Sequence, residues 1–94
     1  MTSYVITMIN ITDPDKYKKY SDLAGVANQI HGGKFLVRGG NPEVLEGKVP
    51  FARIVVNQFD TREQAKGFYN SVEYQKARDE RIGAADFNMV VVDG

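Results

Sequence analysis

Ninety-four residues, with Lys+Arg 12 against Asp+Glu 12 and a formal net charge of zero, suffice for one domain over 1–94 and are too few for two. The balanced charge gives no net field toward nucleic acid or an anionic membrane surface. With Cys 0 there is no disulfide framework, thiolate nucleophile or cysteine-held zinc or iron–sulfur cluster, and no run approaches the roughly 20 apolar residues of a membrane span.

Tyr4 to Ile11 is rich in β-branched residues and predicts a first strand. Asp13-Pro14 supplies an N-cap followed by proline at the first helical position. Tyr17, Tyr20, Ala24, Ala27 and His31 recur at spacings of three and four, so they share a helix face, and Gly32-Gly33 ends the helix. Lys34 to Arg38 predicts a second strand. Gly39-Gly40 and Asn41-Pro42 then turn the chain into a short extended piece, Glu43 to Glu46 with Gly47 as its turn residue, the expected hairpin arm. A third strand is expected from Ala52 to Phe59. Thr61 with Gln64 forms a capping-box signature for a helix whose apolar face is Ala65, Phe68, Tyr69 and Val72. Ser71 is a cap for further helical turns carrying Tyr74, Ala77, Arg78 and Arg81 to a stop near Gly83, and Asp86 to Asp93 predicts the last strand. The order β, α, β, β, α, β is the α+β, ferredoxin-like plan with an antiparallel sheet.

Two of these strands, Arg53 to Phe59 and the stretch through Met89, Val90, Val91 and Val92, lack the apolar/polar alternation of a half-exposed strand. Both helical regions fall on one side of the sheet if the crossovers are right-handed. The other face therefore needs cover, most simply from a second copy of the chain, so a homodimer is expected.

The candidate chemistry is sparse. His31, the only histidine, ends the first helix and reads either as a general acid/base or as a residue bonding terminal carbonyls. Alternation along Lys34, Leu36 and Arg38 places Arg38 opposite Phe35 and Val37. If those two pack under the helices, Arg38 faces the dimer cavity, as an anion anchor or in a structural salt bridge. Gln58 shares a face with Ile54 and Val56, where it either orients a ligand or links two subunits. Tyr74 and Arg78, one helical turn apart, suit a carboxylate or a protein interface, and Tyr17 reads as a core aromatic with its hydroxyl at the rim or as a ligand contact. Gly39-Gly40 matches no phosphate-loop pattern, and without paired histidines or a spaced acidic loop neither a protein-held metal nor another cofactor is expected.

The segments His31-Gly32-Gly33-Lys34-Phe35-Leu36-Val37-Arg38-Gly39-Gly40, Val44-Leu45-Glu46-Gly47 and Ser71-Val72-Glu73-Tyr74, with Arg78 and Gly83-Ala84-Ala85, resemble a bacterial domain-of-unknown-function family of the dimeric α+β barrel superfamily. The resemblance covers nearly the whole chain. It implies a ferredoxin-like protomer pairing sheet to sheet, with a cavity between sheet and helices. Relatives in that superfamily include cofactor-independent monooxygenases of aromatic polyketides, muconolactone isomerases and haem-degrading monooxygenases. The haem-degrading group relies on an asparagine, tryptophan and histidine set that this chain, with Trp 0, does not carry.

Two functions follow as expectations. One is a cofactor-independent enzyme, monooxygenase-like or isomerase-like, acting on a small oxygenated or acidic organic compound, with His31 catalytic and Arg38, Gln58, Tyr74, Arg78 and Tyr17 binding the ligand. The other is a non-catalytic ligand-binding or stress-related homodimer. RNA recognition, which shares the element order, is disfavoured because such domains display aromatics on an open sheet. The N-terminal residues lack the basic n-region and cleavage site of a signal peptide, so the cytoplasm is the expected compartment.

Overall fold

The computed structural model describes residues 2–94. In chain order the elements are β1 (Ser3–Ile11), α1 (Pro14–Ile30), β2 (Lys34–Arg38), β3 (Arg53–Phe59), α2 (Arg62–Asn70), α3 (Val72–Arg81) and β4 (Ala85–Asp93). The strands form one four-stranded sheet in the order β2-β3-β1-β4, with each neighbouring pair antiparallel. This is the expected ferredoxin-like fold, its second helical region divided in two.

Each helix starts where a short polar side chain satisfies a free backbone N–H. Asp13 Oδ1 accepts from Lys16 N at 3.2 Å, Thr61 Oγ1 from Gln64 N at 3.0 Å, and Ser71 Oγ from Tyr74 N at 3.1 Å. Gln64 reaches back to accept from Asp60 N at 2.9 Å, one residue before the cap. Ser71 has extended backbone and both ends α2 and starts α3. That break corrects the reading of Val72. The residue begins a new helix instead of continuing the face of Ala65 and Phe68, and it is 66% exposed.

On β1, Ser3, Val5, Thr7 and Ile9 are buried under the helices, while Tyr4, Ile6, Met8 and Asn10 are half-buried on the opposite face. The helix side holds the core, where Val5, Ile9 and Phe59 meet Tyr20, Ala27, Phe68, Tyr74 and Ala77. At the far side, Ile6 lies between Val56 and Val90, and Tyr4 between Gln58 and Val92. Val90 and Val92 are 49% and 43% exposed there.

The pairing of β2 with β3 shifts register. Phe35 is opposite Asn57, yet Val37 is opposite Val56 and Arg38 opposite Val55, so Leu36 is the extra residue of a bulge. Residues directly opposite share a face. The bulge therefore turns Val37 to the open face and Arg38 to the helix side, the reverse of the placement expected from uninterrupted alternation.

Residues 39–52 contain no strand, so the extended arm expected at Glu43–Glu46 is absent. Gly39 and Gly40 both have positive φ and turn the chain off β2. Pro42 and Pro50 carry no N–H for a ladder. The Asn10 side chain anchors the returning segment, donating to Pro50 O and accepting from Ala52 N at 2.9 Å.

Candidate functional site

A cleft of about 410 Å³ opens between α2, α3 and the β4 side of the sheet. Its floor is apolar. Val5, Phe87, Met89 and Val91 come from the strands, because alternation on β1 and β4 turns these residues toward the helices. Ala65 and Tyr69 form the α2 wall. The polar part is basic: Lys66, Arg78 and Arg81 line the cleft together with Asn70, and no carboxylate does.

Arg78 and Arg81 lie three residues apart on α3 and so project from neighbouring positions on its surface. The Arg81 guanidinium carbon lies 3.7 Å from the Phe87 ring centroid and 5.5 Å from that of Tyr20, which holds it against the aromatic floor. The Nε atoms of Arg78 and Arg81 are buried and have no hydrogen-bond partner. Among the described residues the ion pairs are Lys18–Asp22, His31–Glu73 and Arg62–Asp93, so Lys66, Arg78 and Arg81 are unpaired. Buried donors of this kind are ordinarily satisfied, and a cationic rim over an apolar floor suits an anion with an apolar body.

The sequence-predicted residues do not converge. Arg78 lines the cleft. Tyr74 stands behind it, fully buried, with its hydroxyl 3.0 Å from that of Tyr20. Burial pushes the Tyr74 phenol up, and the neighbouring hydroxyl and Arg81 only partly offset this; burial raises Tyr20 still more strongly, so both stay neutral. Tyr17 and Arg38 line a separate, smaller cavity of about 30 Å³ at the α1–β2–β3 corner. Gln58 lies on the open sheet face opposite Tyr4 and Lys34. His31 caps α1, and its Nε2 lies 2.8 Å from Glu73 Oε1 while its carbonyl accepts from Gln64 Nε2 at 2.8 Å. Its imidazole thus joins two helices outside the cleft.

Arg81, Lys66 and Arg53 also line these cavities, although the sequence does not single them out as site residues. A signal existed for two of them. Arg81 repeats Arg78 at helical spacing, and Arg53 precedes Val55, Asn57 and Phe59 at strand spacing, so both belong to faces otherwise filled by core residues.

Among the described residues no group of His, Asp or Glu is arranged to hold a metal ion, and no helix is long and apolar enough to cross a membrane. No functionally curated protein matches the chain in sequence. Among solved structures it is similar to a protein of unknown function from Rhodopseudomonas palustris, at TM-score 0.79 and 14% identity, covering 99% of this chain and 82% of that one. A dimeric ferredoxin-like protein of unknown function from Jannaschia sp. CCS1 has TM-score 0.73 and 14% identity over 100% of both chains. SnoaB, a cofactor-independent oxygenase from Streptomyces nogalater, has TM-score 0.66 and 6% identity over 99% of this chain and 92% of its own. At these identities the likeness establishes the fold alone. The sequence pattern of one family, the domain of unknown function DUF1330, spans residues 2–94, and the chain belongs to that family.

Proposed function

We propose that the chain is a homodimeric small-molecule-binding protein whose α2–α3 cleft takes a largely apolar organic acid. The observation that carries this reading is the pair of buried, unpartnered Arg78 and Arg81 Nε atoms beside an apolar floor, with no carboxylate in the lining. A cleft of about 410 Å³ lies within the range of sites for small organic ligands, ~300–1,000 Å³. The second copy of the chain covers the open sheet face, where Ile6, Val56, Val90 and Val92 form an apolar stripe. The dimeric state of the Jannaschia protein supports a homodimer.

Native mass spectrometry of the freshly purified protein reports subunit count and retained ligand together. Titration with benzoate, salicylate and naphthoate then tests the class. The reading expects a dimer that takes up one aromatic acid per protomer, and an affinity at least tenfold weaker in Arg78→Met. A monomer, or acid binding indifferent to Arg78, would overturn it.

The likeness to a cofactor-independent oxygenase favours a second reading, oxygenase-like or isomerase-like chemistry with His31 as proton donor or acceptor at the junction of α1 and α3, outside that cleft. Oxygen consumption with an electron-rich phenolic acid tests it. Turnover that survives His31→Gln would remove His31 from the chemistry, and absence of turnover with tight binding would leave a binding protein alone.

A further inference from the structure

The bulge at Leu36 brings two arginines together. Arg38 is opposite Val55, and Arg53, two residues along β3 from Val55, shares that face. Arg38 and Arg53 are therefore diagonal cross-strand neighbours, an arrangement in which like charges repel. Both line the small corner cavity with Tyr17, Ser21 and Thr7, and no carboxylate is among its walls.

Aromatic rings hold the two guanidinium groups. Arg38 lies 4.3 Å from the Phe35 ring centroid and Arg53 lies 5.9 Å from that of Tyr17. A cation over a ring face keeps its N–H edge available for an oxygen ligand. Arg53 Nε is buried without a hydrogen-bond partner. Glycines make room for both groups. A Cβ at Gly39, whose φ is +95°, would stand 2.6 Å from Arg53 Nη1, and one at Gly25 would stand 3.3 Å from Arg38 Nη2.

The cavity of about 30 Å³ admits one small polar group and nothing larger. It adjoins an open groove that shares Phe35 and Arg38 and is bordered by Gly25, Asn28, Gln29 and Asp22. Asp22, the one carboxylate there, is bound to Lys18 at 3.3 Å. In contrast to the floor of the α2–α3 cleft, this groove is largely polar.

We propose that the α1–β2–β3 corner is a second ligand site, in which Arg38 and Arg53 clamp the carboxylate of a small polar organic acid whose body lies along the groove beside Gly25. The planar fork of arginine matches a carboxylate in two-point contact. The Tyr17 and Ser21 hydroxyls line the same cavity and can donate to it. This site stands apart from the α2–α3 cleft and does not depend on the reading given to it.

The test is a titration of the isotopically labelled full chain with lactate and malate, followed by backbone amide NMR, with glycerol and inorganic phosphate as comparison solutes. Saturable shifts centred on Ser21, Gly25, Gly39 and Arg53 are expected with the hydroxy acids and not with glycerol. Arg38→Gln, at an exposed position, should weaken the midpoint at least tenfold, and Arg38→Lys should restore only part of it. Gly25→Ala favours the helix, so it keeps the fold while crowding Arg38, and it should weaken binding as well. Shifts confined to the α2–α3 cleft, a response to phosphate but not to carboxylates, or midpoints unchanged in Arg38→Gln and Gly25→Ala would each overturn the proposal.

Discussion

His31 Nε2 lies 2.8 Å from Glu73 Oε1, joining the C-terminal end of α1 to the first turn of α3. The hydrogen bond from His31 holds the Glu73 carboxyl below the usual glutamate range, with smaller help from its own backbone and from Lys76. A carboxyl depressed in the folded state contributes stability that is fully present above its unfolded value and lost as pH falls through its folded one. Glu73→Gln should therefore lower stability at neutral pH, where that contribution is present, and flatten the acid limb, so that the two proteins converge below about pH 4. Urea unfolding midpoints between pH 3 and 7 would check this. An acid limb identical in both proteins would assign it to Asp93, which Ser3 and Arg62 hold low in the same way.

The Tyr20 and Tyr74 hydroxyls are each other's partner in a buried site. Tyr74→Phe should lower stability by about 1–2 kcal/mol, since it leaves the Tyr20 hydroxyl buried with no partner of its own kind. Removing both hydroxyls should cost less than the sum of the single changes, because the second removal then strands nothing. A double-mutant cycle by chemical denaturation measures the difference.

Gly33 sits against two fixed neighbours. A Cβ there would run into the Asn28 amide and stand 2.8 Å from Phe59 Cζ. Asn28 cannot give way freely, because it donates to Gly33 O at 3.0 Å and accepts from Asn57 Nδ2 at 3.0 Å. Gly33→Ala should thus destabilise by ~1–3 kcal/mol, the usual range for overpacking a filled site, and thermal unfolding would show it. The neighbouring Gly32 would give a milder response to crowding, since its closest contact is the movable end of Gln64.

Val56 lies between Ile6 on β1 and Val37 on β2, on the open face of the sheet. Val56→Asp places a charge in the centre of the expected subunit contact and should abolish dimerisation, with a penalty of several kcal/mol for an unpaired buried carboxylate. Light scattering after size exclusion decides the matter. A stable dimer of this variant would mean that the subunits meet elsewhere.

The parts of the fold readable from sequence were those set by neighbours along the chain. Asp13, Thr61 and Ser71 each cap a helix through a residue three positions away, and the spacing of Tyr17, Tyr20, Ala24 and Ala27 marks the buried face of α1. What escaped was decided by pairing across the chain. Alternation over Lys34, Leu36 and Arg38 gave no sign of a bulge, because the extra residue exists only relative to β3. Glu73, the partner of His31, is 42 residues away, and nothing local to either residue points to the other. The same holds for the site. Arg78 was legible as a polar residue on a helix face, but the cleft it lines depends on where β4 lies.

The central position of β1, flanked by β3 and β4, also sets the order in which the molecule can be made. The β2–β3 hairpin can close within its own segment. The first strand has to wait for partners far along the chain, the last of them β4, and bringing such distant segments together is entropically slow. Until then β1 presents two unpaired edges, with Val5 and Ile9 on one side and Ile6 and Met8 on the other, to any other strand in reach. Synthesis on the ribosome makes β1 before either of its partners, so this strand has the most to gain from a chaperone's cover.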